Sequence, residues 1–233
     1  MKTIGLLGGM SWESTASYYR VINEGIKAEL GGLHSARIVL YSVDFEPVEK
    51  LQQAGDWDAA AKLLADAAQG VQAAGADCVL ICANTMHKVA PQVERAVDIP
   101  LLHIADATGE ALVRAGIRKA GLLGTAFTME QDFYRGRLAD MHGLEVIVPG
   151  AEDRALVHRV IYEELCLGKT GSASRQAYLG IIDDLTRRGA EAVILGCTEI
   201  ALLVSQDDTT ARLFDTASLH AQQAVEFALK GDG

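Results

Sequence analysis

Two stretches of this chain repeat one another, and the repeat narrows the folds open to it. Gly75-Ala76-Asp77-Cys78-Val79-Leu80-Ile81-Cys82-Ala83-Asn84-Thr85 aligns without a gap on Gly189-Ala190-Glu191-Ala192-Val193-Ile194-Leu195-Gly196-Cys197-Thr198-Glu199, an offset of 114. A second pair supports it: Ile4-Gly5-Leu6-Leu7-Gly8 leads into Tyr18-Tyr19-Arg20 as Ala120-Gly121-Leu122-Leu123-Gly124 leads into Phe133-Tyr134-Arg135, at an offset of 115 or 116. The apolar runs Cys78 to Ala83 and Ala192 to Leu195 read as strands buried on both faces, as in a parallel sheet. Strand, glycine turn and helix occurring twice predict a duplicated α/β unit, with the two strand mouths facing one another.

The chain has 233 residues, enough for two α/β domains that each bury a core. With 31 acidic against 21 basic residues the net charge is −10, and no Lys or Arg cluster stands out, so nucleic acid and anionic membrane are poor partners. Cys78, Cys82, Cys166 and Cys197 have neither metal-finger nor disulfide-framework spacing, which suits a reducing cytoplasm and argues against a metal. The first apolar segment meets Gly8-Gly9 too soon for a signal peptide or a membrane span, so a soluble protein is expected.

The second copy of the core strand ends in a thiol. Cys197 stands at its mouth, and a helix starting soon after Thr198 would favour the thiolate through its free N–H groups and positive dipole end. The plainer alternative is a buried structural cysteine. In the first copy the aligned residue is Ala83, not Cys82, and alternation along a strand points those two to opposite faces.

In chain order, Thr3 to Leu7 is a strand ended by Gly8-Gly9-Met10, with Ser11 as N-cap of the next helix. Backbone N–H groups at such a turn can meet an anion. The spacing of Gly5, Gly8 and Gly9 is not the dinucleotide fingerprint, and Gly168-Lys169-Thr170 lacks the upstream glycine of a P-loop. Ala36 to Val43 is a second strand, residues 59 to 74 an Ala-rich helix, and Pro100 to Ile104 a fourth strand with Asp106 and Thr108 as caps of the following helix. The second half supplies strands Lys119 to Leu123 and Leu144 to Val148, a helix over about 156–167 and another to Arg188. A short strand Leu213-Phe214 and a helix Leu219 to Leu229 close the chain. His87 reads as a helix-start or core histidine, and Asp215 as a cap.

Strand ends carrying Met10, Asn84, Thr85, Thr125, Thr128, Cys197, Thr198 and Glu199 would line a cleft between the halves. Hydroxyls, an amide and free N–H groups suit a carboxylate more than an apolar ligand. A thiolate beside such a site can remove a proton from the carbon next to a carboxylate when donors stabilise the charge that develops.

On Gly8-Gly9-Met10-Ser11, Asn84-Thr85-Met86-His87, Leu123-Gly124-Thr125 with Thr128-Met129, Gly196-Cys197-Thr198-Glu199 and Phe214-Asp215-Thr216, nearly the whole chain resembles the aspartate/glutamate racemase superfamily. It is most similar to the aspartate racemase branch, which works without pyridoxal phosphate. The resemblance implies two pseudo-symmetric Rossmann-like three-layer α/β domains, each with a mainly parallel four-stranded sheet, and an active site in the cleft between them. Residues 1–105 plus 210–233 would form the first domain, the C-terminal helix returning to it, and 106–209 the second. It further implies two cysteines on opposite faces of the substrate α-carbon, one removing a proton and the other returning one. Cys197 takes one of these roles, and Asn84, Thr85 and Thr198 hold the substrate carboxylate.

The chain departs from that pattern at Ala83, which occupies the partner position and has no proton to exchange. It departs again after the second strand, where Asp44-Phe45-Glu46-Pro47 replaces the arginine expected to grip a side-chain carboxylate. Gln52 and, by resemblance, Lys169 are the candidates for that end of the substrate; the alternative for Lys169 is a solvated loop lysine. The expected function is a cofactor-independent amino-acid racemase of aspartate/glutamate or broad specificity, acting as a homodimer and impaired or one-sided at Ala83. The alternatives are a single-cysteine decarboxylase of the arylmalonate type and a non-catalytic amino-acid binding protein.

Overall fold

The computed structural model describes residues 1–230. The repeat appears in it as two sheets of the same design. β1 (Ile4–Gly8) and β3 (Cys78–Ile81) are the central pair of the first sheet, β5 (Lys119–Gly124) and β7 (Ala192–Gly196) that of the second. The edges are β2 (Ile38–Ser42) and β4 (Leu101–Leu102) in one, β6 (Glu145–Ile147) and β8 (Leu213–Asp215) in the other, giving orders β2-β1-β3-β4 and β6-β5-β7-β8. Each pairing is parallel, with Leu6 opposite Leu40 and Leu80 in one sheet and Leu122 opposite Ile194 in the other. β1, β3 and β7 are buried along their full length, as helices on both faces require of a parallel strand.

Helices join these strands. In the first half they are α1 (Trp12–Leu30), α2 (Phe45–Ala54), α3 (Trp57–Ala73), a 3₁₀ turn Thr85–Val89 and α4 (Ala90–Ala96). Next come α5 (Ile104–Arg114), α6 (Ala126–Glu130), α7 (Asp132–His142), α8 (Ala151–Glu163), a 3₁₀ turn Leu165–Leu167, α9 (Ser172–Arg187), α10 (Ile200–Leu203) and α11 (Thr216–Leu229). Ser11 caps α1, its Oγ accepting from Ser14 N–H at 3.4 Å, and Tyr18, Ile22 and Ile26 form the buried stripe. α3 is Ala-rich because its inner face, Ala60, Leu64, Ala67, Ala68 and Val71, packs closely into the core of Leu7, Val79 and Ile81. Each large aliphatic side chain buried this way contributes roughly 1.5–3 kcal/mol.

Contacts divide the chain into two units: Met1–Ile104 with the segment from His220 onward, and Ala105–Leu219. β8 lies in the second sheet because it hydrogen-bonds to β7, Ile194 opposite Phe214, so the segment from 210 does not return to the first domain as a whole. The division falls inside α11. From His220 on, that helix packs on the first unit: His220 Nε2 donates to Leu102 O at 2.7 Å, and Tyr18 OH lies 2.8 Å from its Nδ1.

Local expectations shift at three points. α5 starts at Ile104, so Asp106 and Thr108 lie inside it and are not its caps. The Asp106 carboxylate is taken instead by Arg137, at 2.6 and 2.7 Å, and by His142 Nε2 at 3.2 Å. Thr108 Oγ1 sits 3.2 Å from Tyr134 OH. The helix expected over 156–167 starts five residues earlier, after Pro149-Gly150, because Glu152 and Asp153 suit the positive end of its dipole; it gives way to the 3₁₀ turn before Gly168. Asp215 does act as a cap, accepting from Ala217 N–H at 3.0 Å and from the Ser218 hydroxyl at 2.7 Å.

Candidate active site

β7 delivers Cys197. Gly196 precedes it for a steric reason: a Cβ there would sit 2.7 Å from Leu122 Cδ1 and 2.8 Å from Leu123 O, so only glycine lets the end of β7 lie against β5. Thr216 Oγ1 donates to Leu195 O at 2.9 Å and holds the strand end from the other side. The Cys197 side chain is buried. Its thiol donates to Glu199 Oε2 at 2.9 Å, and the Thr198 hydroxyl donates to the same oxygen at 2.8 Å.

This environment reverses the expectation of a dipole-stabilised thiolate. The helix after Cys197, α10, has only four residues, too short for a substantial macrodipole. Burial is the first cause that pushes the Cys197 thiol well above its ordinary range, followed by the charges of Glu199 and Cys166. The N–H of Glu199, which favours the anion, is outweighed. Cys197 therefore rests as a protonated thiol hydrogen-bonded to a buried carboxylate.

Two further residues belong to this neighbourhood and carried no signal in the sequence. Cys166, in the 3₁₀ turn before Gly168, is close enough that its charge counts against a Cys197 thiolate. Tyr178, a fully buried residue of α9, donates its hydroxyl to Val157 O at 3.0 Å, and burial raises its pKa, followed by the charges of Cys197, Glu164 and Cys166. They lie 31 and 19 residues before Cys197 in the chain. Only the packing of α8, α9 and β7 assembles them.

The mouth of β5 carries the other hydroxyls of the second unit. Thr125 is the N-cap of α6: its Oγ1 accepts from Thr128 N–H at 3.3 Å and lies 3.2 Å from Thr128 Oγ1. The next N–H of that helix, Ala126, donates to His158 Nδ1 at 3.1 Å. Burial lowers the His158 pKa while the charge of Glu130 raises it, the net shift being downward. Lys169 is exposed in the loop after Gly168.

Met10, Gln52, Ala83, Asn84 and Thr85 lie in the first unit, all buried. Met10, Ala83 and Met86 share its hydrophobic core, and Gln52 Nε2 donates to the Met86 sulfur at 3.0 Å. A thioether is a weak acceptor. His87 is a core histidine: its Nε2 accepts from Ile104 N–H at 3.2 Å, which leaves the proton on Nδ1, and that N–H donates to Ala83 O at 2.8 Å. The other two thiols there are structural. Burial raises the Cys78 thiol to about 12 and pushes Cys82 up as well. Among the described residues no group of three or more His, Cys, Asp and Glu could hold a metal ion.

The Asp/Glu/hydantoin racemase family model matches residues 7–224. The chain belongs to that family. It is similar to a crystal structure from Yersinia pestis described as a candidate Asp/Glu racemase, with 56% identity, 99% of this chain and 100% of that one covered, and a TM-score of 0.92. An aspartate racemase homologue from Pyrococcus horikoshii OT3 shares 36% identity over 98% of this chain and 99% of its own, with a TM-score of 0.82. The broad specificity amino-acid racemase RacX of Bacillus subtilis is 22% identical, with 95% of this chain and 96% of that protein covered. The two four-stranded parallel sheets with their helices are the α/β fold of this family.

Proposed function

We propose that this member of the family is a cofactor-independent amino-acid racemase, cytoplasmic and homodimeric, in which Cys197 exchanges the α-proton of the substrate. The observation that carries the reading is the hydrogen bond from Cys197 Sγ to Glu199 Oε2 at 2.9 Å. A thiol whose pKa is raised needs a base to release its proton, and this carboxylate already holds the other end of the S–H bond. The proton passes from Sγ to Glu199 Oε2; the thiolate then takes the α-proton, and the electron pair left behind spreads into the substrate carboxylate as an enediolate. Asn84, Thr85 and Thr198 are assigned to that carboxylate, with Thr125, Thr128 and the Met10 turn beside it, and Gln52 and Lys169 to the far end of the substrate. Return of the proton from Cys197 restores the starting enantiomer. Inversion requires a proton from the opposite face, where Ala83 has none to give, and water must supply it.

α-Proton exchange in D₂O, followed by NMR on L- and D-amino acids including aspartate, glutamate, homoserine and lysine, tests this. Deuterium uptake that disappears in Cys197→Ala supports the reading, and uptake that outruns inversion marks a one-sided enzyme. Absence of uptake on every substrate sinks it. A second reading draws on the same raised thiol pKa together with Ala83: a single protonated cysteine suits an acid that quenches an enediolate formed by loss of carbon dioxide. Release of carbon dioxide from a disubstituted malonate, with no α-proton exchange on amino acids, would favour it.

A further inference from the structure

At the mouth of β5 the chain turns straight into α6, and the first N–H groups of a helix have no partner within it. Thr125 Oγ1 takes that of Thr128, at 3.3 Å. The Ala126 N–H is taken from outside: it donates to His158 Nδ1 of α8 at 3.1 Å, 32 residues further along the chain. The imidazole that receives it is itself held. Tyr162, one turn on along α8, has its ring centroid 4.9 Å away at 55°, and Phe127 of α6 meets the imidazole edge to face at 6.1 Å and 77°. Ala126 and Phe127 therefore both bear on His158, one through its backbone and one through its ring. They stand between Thr125 and Thr128, two buried residues whose hydroxyls are 3.2 Å apart. Whatever moves His158 moves the segment that aims them.

An imidazole nitrogen accepts only through its lone pair, so this bond requires the neutral ring with its proton on Nε2. A proton added at Nδ1 would set donor against donor and leave the Ala126 N–H without its acceptor. The surroundings keep the ring neutral. Burial is the first cause that lowers the His158 pKa, and the opposing charge of Glu130, from α6, does not cancel it. Glu130 is itself paired with Arg154 Nε at 2.8 Å, one turn before His158 on α8. The other elements packed on α8 bring groups that are already engaged or neutral. β5 carries Lys119 at its far end, paired with Glu145 at 2.9 Å, and α9 brings Tyr178, which donates to Val157 O. The 3₁₀ turn brings Cys166, and Glu164 before it accepts from the Ser174 hydroxyl at 2.7 Å. With the folded-state pKa lowered, the bond is present above that value and is lost as the pH falls through it.

We propose that His158 is a positioning residue: by accepting the Ala126 N–H it fixes the Thr125–Thr128 turn for the substrate carboxylate, and protonation of its ring releases that turn. This rests on the assignment of Thr125 and Thr128 above and adds a pH-sensitive support behind them. The test compares the full chain with His158→Asn, whose Oδ1 stands near the place of Nδ1 but does not titrate, and with His158→Leu, which has no acceptor. Two quantities are followed between about pH 4 and 8: the amide NMR resonance of Ala126, and KM and kcat for α-proton exchange. In the wild type the Ala126 resonance is expected to shift with a midpoint below the ordinary histidine value of about 6.5. KM rises below the same midpoint, with little change in kcat. His158→Leu is expected to raise KM about fivefold to tenfold at neutral pH, and His158→Asn to recover most of that loss and to lack the acid limb. An Ala126 resonance that does not titrate, an acid limb that survives in His158→Asn, or a KM unmoved in His158→Leu overturns the proposal. So does a fall in kcat shared by both variants, which marks a merely structural histidine. Absence of exchange on every substrate overturns the racemase reading instead, and the Ala126 titration then decides by itself whether His158 holds the turn.

Discussion

At the scale of single residues, Glu199 changes what Cys197 is. The carboxylate raises the thiol pKa by its charge, and it is also the group positioned to receive the thiol proton. These two effects separate experimentally. Glu199→Gln removes the charge, so the Cys197 pKa falls and alkylation by iodoacetamide quickens at a given pH. The same change removes the proton acceptor, and α-proton exchange is expected to drop by about 10² to 10⁴. Parallel changes in the two rates would refute the assignment. Ala83→Cys is the complementary experiment. It places a second thiol at the aligned position of the first unit, and the ratio of inversion to α-proton exchange should rise.

At the scale of elements, turns and strand ends are held by contacts that allow little substitution. Gly9 has φ +91°, and a Cβ there would lie 2.1 Å from Val43 O. Gly9→Ala is expected to cost about 3 kcal/mol or more, read as a shift of the urea midpoint. His87 joins the end of β3 to the residue after β4 through Ala83 O and Ile104 N–H. His87→Ala removes both of these buried hydrogen bonds, a loss of about 2–4 kcal/mol measurable by the same titration. In α5, burial raises the Asp106 pKa, but the hydrogen bonds and charges of Arg137 and His142 outweigh it and the net shift is downward. A lowered folded-state pKa contributes stability that is present above the unfolded pKa and lost as pH falls through the folded one. Asp106→Asn should therefore lower Tm at neutral pH, with the gap to wild type closing as the pH drops below the ordinary carboxylate range. The repeat made the strands and most helices legible, because buried parallel strands are continuous apolar runs and glycines end them. The caps were harder to read. Asp106 followed by Thr108 is as good a capping pattern as Asp215 followed by Ala217, and only the arrival of Arg137 and His142 from α7 distinguishes them.

At the scale of the whole molecule, the chain is not two consecutive domains. Its last helix begins in the second unit and, from His220, packs on the first, where Lys2 N–H also donates to Ala228 O at 3.0 Å. Truncation after Leu219 removes the ring bonded to Leu102 O and Tyr18 OH, so thermal unfolding followed by circular dichroism should lose cooperativity and begin at lower temperature. Retention of the full-length melting profile would count against that role. The sequence by itself determined the duplicated parallel architecture, the absence of a nucleotide fingerprint, and the alignment of Cys197 with Ala83 at the two strand mouths, since these follow from periodicity, glycine spacing and residue identity. Tertiary structure decided the rest: the protonation of that thiol, the engagement of Glu199, the approach of Cys166 and Tyr178, and the sheet to which β8 belongs. Burial and electrostatics depend on which distant segments meet, and a linear pattern does not record that.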